Sequence, residues 1–230
     1  MKKGDLRKQE ILHTAEQLFC RKGYEQTSIQ DILDQLHSSK GSFYHHFISK
    51  EALLEGICRK RADQIYETLS PVFNEKDSII DQLNTCLSGM IPLGGEKLSF
   101  LLMILPVFML PEGRMVRAAY CDSLAERFYP LVLKLIQRGQ NEGILVCGKT
   151  EIVTELILHT VNRLWVKICT VIIESEMNHT ETDLSELLQI TDCYRQSAER
   201  ILFLPYGSLK LIDIPILGQL TEQIHAHWKD

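Results

Sequence analysis

Residues 38–47 read SSKGSFYHHF, a short run dense in side chains that could do chemistry. Ser39, Ser42 and Tyr44 carry hydroxyls, Lys40 an ammonium, and His45 and His46 imidazoles. These are mostly hydrogen-bond donors. They suit recognition of a polar or anionic partner better than bond-making. No carboxylate stands among them, and no third metal ligand is evident beside the two histidines. The rest of the chain has no GxxxxGK[ST], GxSxG or HExxH pattern, and no paired carboxylates in a plausible pocket. Gly94-Gly95 precedes Glu96-Lys97 without the rest of a phosphate loop. The expectation is therefore no catalytic residue, no metal and no cofactor.

A run this short needs a scaffold. Ile11, Leu12, Ala15, Leu18 and Phe19 fall at spacings of one, three and four, which predicts a helix with one apolar face, ending near Lys22. Gly23 suits the left-handed stop beyond it. Ser28 with Asp31 three residues on reads as a capping-box-like start, followed by the stripe Ile29, Ile32, Leu33 and Leu36. Ser39 is then the expected N-cap of a helix from Lys40 to Phe47. Two short helices joined by such a turn make a helix-turn-helix. Phe43 and Phe47 should point inward, leaving Ser39, Lys40, Ser42, Tyr44 and His45 facing largely outward. Ser49 caps a fourth helix that runs to about Leu69 and stops at Pro71.

Composition bounds the rest. The 230 residues are 45% apolar and 24% charged, as in a soluble globular protein of one large or two modest domains. The N-terminus, MKKGDLRKQE, has no apolar run behind it, so no secretory signal is expected. The 13-residue run from Leu98 to Leu110 contains Pro106 and is too short to span a bilayer. The run from Ile152 to Ile173 is broken by Glu155, His159, Asn162, Arg163 and Lys167, so no membrane partner is expected. Seven scattered cysteines without a CxxC point to reduced buried thiols in a cytoplasmic protein. Charge is uneven. Residues 1–61 carry net +3 and the remainder net −8, a weak pointer to a polyanion at the N-terminal end.

Beyond Pro71 the pattern stays helical, with segments near 77–91, 95–110, 112–141, 150–177 and 181–203, and a last helix near 215–228. The helix from Ile152 is apolar around most of its circumference. The one from Asp183 is amphipathic. Two such helices from each of two subunits would make a four-helix dimer interface, with a purely internal core as the alternative.

Thr27-Ser28-Ile29 through Asp31-Ile32-Leu33, SKGSFYHHF at 39–47 and Ser49-Lys50-Glu51-Ala52-Leu53 together resemble the DNA-binding domain of TetR-family transcriptional regulators. The resemblance covers about residues 6–57. It departs at His37, where the family commonly has glycine. It implies an all-α fold: a three-helix DNA-binding domain (1–49), a connecting helix (50–70) and a helical ligand-binding and dimerisation domain (71–230). It implies a cytoplasmic homodimer that binds a double-stranded DNA operator and a small-molecule effector.

On that reading Ser39 and Lys40, in the N-terminal half of the recognition helix, face base edges, and Ser42 donates nearby. Gly41 lets the backbone approach DNA closely. One histidine, assigned to His45, touches DNA while the other packs beside Phe47 or against the first helix. The resemblance implies phosphate contacts for Tyr44 and Lys50. Thr27 and Ser28 would offer hydroxyls and helix N-terminal amides to phosphate. Candidate walls of an effector pocket are Phe100, Met103, Met109, Tyr120, Phe128 and Trp165, with His159, Asn162 and Arg163 as a polar set. The function implied is a repressor released from a palindromic operator by its ligand. An activator shares every residue with it. A helical small-molecule carrier or enzyme without DNA binding is the reading from another class.

Overall fold

The structure is a computed structural model and describes residues 3–69, 77–92, 101–103, 105 and 113–229. Among these there is no strand. The helices are α1 (Lys3–Lys22), α2 (Ile29–Gln35), α3 (Lys40–Tyr44), α4 (Lys50–Leu69), α5 (Ile79–Met90), α6 (Gly113–Asn141), α7 (Thr150–Met177), α8 (Leu184–Leu202) and α9 (Ile214–Lys229). The all-α expectation holds, and most helix ends fall within a few residues of those read from periodicity. The segment expected at 95–110 lies largely outside the described residues.

The chain divides into two compact units. The first joins residues 1–62 with 99–123, and the second joins 63–98 with 124–230. In the first unit, Ile11, Leu12, Ala15, Leu18 and Phe19 of α1 are buried together with Ile32, Leu33, Phe43, Phe47, Leu53, Leu54 and Ile57. These are the apolar stripes of α1 to α4 meeting as one core. Glu16, buried on α1, forms ion pairs with Lys60 at 3.9 Å and with Arg61, which fastens α4 to α1.

In the second unit α7 supplies the long central element. By length and composition it could cross a membrane, but 67% of its most apolar window is buried within the fold, as for a core helix. Its remaining stripe, through Ile152, Glu155, Leu156, His159, Arg163 and Lys167, is exposed. Helix α8 packs along α7 and ends at Phe203, whose φ of 54° lets the Leu204 N–H return to the Glu199 carbonyl at 2.8 Å. The tail that follows is tied down. Asn84 donates to the Ser208 carbonyl at 3.0 Å and accepts from the Lys210 N–H at 2.8 Å. Buried Glu199 accepts from Arg195 and from the Leu209 N–H at 2.9 Å.

Candidate nucleic-acid interface

The helix-turn-helix is assembled by caps more than by length. Helix α2 starts on Ser28, whose Oγ accepts from the Asp31 N–H while Asp31 accepts from the Ser28 N–H at 2.8 Å. Lys22 adds an ion pair to Asp31 at 2.8 Å. Hydrogen bonds from Lys22 and Ser28 hold the Asp31 carboxyl well below the usual carboxylate range. Helix α3 starts on Ser39, whose Oγ accepts from the Ser42 N–H at 3.3 Å. Between the two helices, His37 adopts φ 47°, so the turn does demand the left-handed region where the family favours glycine.

Helix α3 then buries Phe43 and, just beyond its end, Phe47. Ser39, Lys40, Gly41, Tyr44 and His45 are exposed, and Ser42 and His46 are half-buried. This is the division read from helical geometry. His46 is the imidazole turned toward α1. Partial burial, His45, Lys8 and Arg7 all lower its pKa from 6.5. His45 stays in the open, its ring 4.9 Å from that of His46.

Gly41 is informative because the fold does not require it. A Cβ built there would meet only Ser39 Oγ, at 3.9 Å. At Gly56, by contrast, a Cβ would press against Leu12 and Phe47 at 3.1 Å, so packing of α4 accounts for that glycine.

One assignment needs correction. Thr27 is fully buried, and its hydroxyl donates to the Gly23 carbonyl at 2.8 Å. It closes the α1 end and has no hydroxyl left for phosphate, because the turn places it under α1 and not on the open side. Lys50 is half-buried. Its ammonium donates to the carbonyls of Tyr24 at 2.9 Å and Thr27 at 3.2 Å, and lies 4.1 Å from the centroid of the Tyr24 ring. In this state it is a stitch between α4 and the α1–α2 turn. The Ser28 hydroxyl is likewise occupied by Asp31, at 2.6 Å, although the residue is exposed.

Sequence reasoning passed over Ile48, which is 84% exposed directly after Phe47. At the position before the Ser49 cap an apolar residue usually packs back on the helix. Its exposure leaves an apolar group beside a polar run, and no sequence signal distinguishes it from a staple.

The pocket residues separate. Phe100 and Met109 lie outside the described residues. Met103 and Tyr120 are buried in the first unit, whereas Phe128 and Trp165 are buried in the second. The polar set is not a set. Only Asn162 is buried, and it accepts from the Trp165 indole N–H at 3.2 Å. His159 and Arg163 are exposed, because positions 159 and 163 fall on the outer stripe of α7, away from Asn162. Among the described residues no three His, Cys, Asp or Glu side chains converge as a metal site. All seven cysteines are free thiols, and Cys20 and Cys193 are exposed, contrary to the expectation that the thiols are buried.

The profile of the family described as "Bacterial regulatory proteins, tetR family" matches residues 11–57. An uncharacterised HTH-type transcriptional regulator, YerO of Bacillus subtilis, is 48% identical over 52 residues, 23% of this chain and 18% of that protein. The HTH-type transcriptional repressor KstR2 of Mycolicibacterium smegmatis is 31% identical over 77 residues, 34% of this chain and 38% of that protein. The matched stretches thus span well under half of these relatives. A solved TetR-family regulator from Pectobacterium atrosepticum shares the fold more widely, with a TM-score of 0.60 over 89% of this chain and 100% of that one at 18% identity. The capped helix-turn-helix at 28–47 lies inside residues 11–57, the segment that matches the tetR family of bacterial regulatory proteins.

Proposed function

We propose that the chain is a sequence-specific, homodimeric transcriptional regulator, a repressor that a small-molecule effector releases from a palindromic operator. The observation that carries the DNA half is Gly41. A glycine inside a helix costs about 1 kcal/mol against alanine, and here the surrounding protein gives no reason for it. Close approach by a partner does. Beside it, exposed Lys40 can donate to guanine O6 and N7, and exposed Tyr44 can donate to a phosphate oxygen. The repressor sign is supported by the similarity of the N-terminal segment to KstR2, a transcriptional repressor.

Dimerisation through α7 and α8 is supported by what those helices leave uncovered. Ile152 and Leu156 on α7 are 53% and 48% exposed, and Leu188 on α8 and Phe203 at its end are also exposed. The effector half rests on the family resemblance. Ligand and DNA would each lower affinity for the other by the same factor, through two states of the dimer.

The test is selection of bound sequences from a random duplex library, repeated with Gly41→Ala. The expected result is a palindrome recovered by the wild type. Gly41→Ala should melt no lower, yet bind that palindrome at least tenfold more weakly. Recovery of no common sequence, or full affinity in Gly41→Ala, would count against the reading. A screen in which no small molecule shifts operator affinity would remove the effector half alone.

A further inference from the structure

Helix α7 is buried around most of its circumference, yet one line of it stays open. Glu151, Glu155, His159, Arg163 and Lys167 follow one another at intervals of four, and all are exposed. Between Val161 and Ile173, Arg163 and Lys167 are exposed, Thr170 is half-buried and the others are buried, so the charges stand in single file on an otherwise covered helix. Their order carries information. Two carboxylates come first and two cations last, with His159 at the midpoint. Glu151 with Glu155, and Arg163 with Lys167, are like charges at i, i+4, which destabilise a lone helix. The nearest opposite charges, Glu155 and Arg163, stand ~12 Å apart along the axis, beyond an ion pair within one helix. Among the described residues none of the four has an ion pair.

The line is self-complementary. Glu155 and Arg163 are equally far from His159 along the chain, and so are Glu151 and Lys167. A second copy of α7 laid antiparallel, His159 against His159, brings Glu155 opposite Arg163 of the second copy and Glu151 opposite its Lys167. A two-fold axis repeats both pairs. A slip of one helical turn leaves Lys167 or Glu151 opposite an uncharged residue and sets His159 against Glu155 or Arg163. A parallel pairing in register sets like charge on like. Leu156, exposed beside Glu155, adds apolar surface next to the inner pair.

We propose that α7 pairs antiparallel with α7 of a second copy about an axis at His159, and that this charge order selects a second copy of this chain over a related chain with a different order. The inference rests on the dimer reading and adds its register and its selectivity. Exposed ion pairs contribute little affinity. Like charges set against each other across an interface are costly, so the line acts chiefly by excluding wrong partners.

The test is sedimentation equilibrium of the full chain without DNA, with Glu155→Arg and Arg163→Glu as variants. The wild type is expected to dimerise. Each variant alone sets like charges against one another at both inner positions and should dimerise at least about tenfold more weakly. An equimolar mixture of the two should recover wild-type association, because each chain then meets its opposite at both positions. That recovery also shows that both variants are folded. The double variant Glu155→Arg/Arg163→Glu should dimerise with itself and not with the wild type. A monomeric wild type would overturn the dimer reading and this inference with it. A dimeric wild type whose single variants dimerise equally well, or stay weak when mixed, would overturn the register and leave the dimer reading standing. So would a double variant that pairs freely with the wild type.

Discussion

Lys50 and Tyr24 are joined twice: the ammonium donates to the Tyr24 carbonyl at 2.9 Å and lies 4.1 Å from the centre of its ring. The lysine that the family resemblance assigns to phosphate is, without DNA, part of what fastens α4 to the α1–α2 turn. Lys50→Ala should therefore destabilise the free chain by about 1–2 kcal/mol, from a charged hydrogen bond and a cation–π contact at a half-buried site. It should also weaken binding to every duplex alike. Lys40, exposed and without such ties, should behave oppositely: Lys40→Ala leaves the melting curve in place and relaxes sequence preference. Thermal denaturation without DNA separates the two. An unshifted melting curve for Lys50→Ala would show that the stitch has no energetic weight.

His37 occupies a backbone conformation that L-residues avoid, at φ 47°. Glycine adopts it freely, so His37→Gly should stabilise the chain. The gain is about 0.5–1 kcal/mol, because the strain relieved is partly offset by glycine's greater freedom in the unfolded chain. That corresponds to a rise of roughly 1–3 °C in Tm for a chain of this size. A drop in Tm would mean that the imidazole makes a stabilising contact outweighing the strain.

These two residues show what sequence could and could not supply. The stripes of α1 to α4 and the caps Ser28 and Ser39 are local, set by spacings of three and four, and they were legible. So was the inward turn of Phe43 and Phe47. The fates of Thr27 and Lys50 depend on where a turn 23 residues upstream of Lys50 comes to rest, which no local pattern records. The α7 polar residues fail for a related reason. A helix apolar around most of its circumference does not announce which stripe is left outside, so His159 and Arg163 could not be told from Asn162.

Protonation of His46 should couple to DNA binding. In the free chain partial burial first, and then His45, Lys8 and Arg7, hold its pKa below 6.5. Phosphates brought near the same positive group would raise that pKa, so the bound state takes up protons that the free state does not. Affinity then rises as pH falls from above 6.5 through the lowered value, by at most about tenfold per pH unit for one proton per subunit. His46→Gln should flatten this dependence. Affinity measured at constant salt between neutral and mildly acidic pH decides it. A wild-type profile that is flat, or that falls with acid, would show that His46 does not face phosphate in the complex.

The last prediction concerns the spacing of two recognition helices. Leu156 is 48% exposed at the middle of the α7 stripe and contributes little to the fold of one chain. If that stripe is the dimer seam, Leu156→Lys places two charges where apolar surfaces meet and should yield a folded monomer. Affinity for a full palindrome should then fall by about 10²–10⁴, the advantage that linking two binding modules confers. Affinity for a single half-site should not change, because α3 is untouched. Sedimentation equilibrium with paired titrations on full and half operators tests both statements. A Leu156→Lys chain that stays dimeric and keeps full-operator affinity would move the seam elsewhere, since the exposed apolar residues on α7 and α8 would then face solvent in the dimer as well.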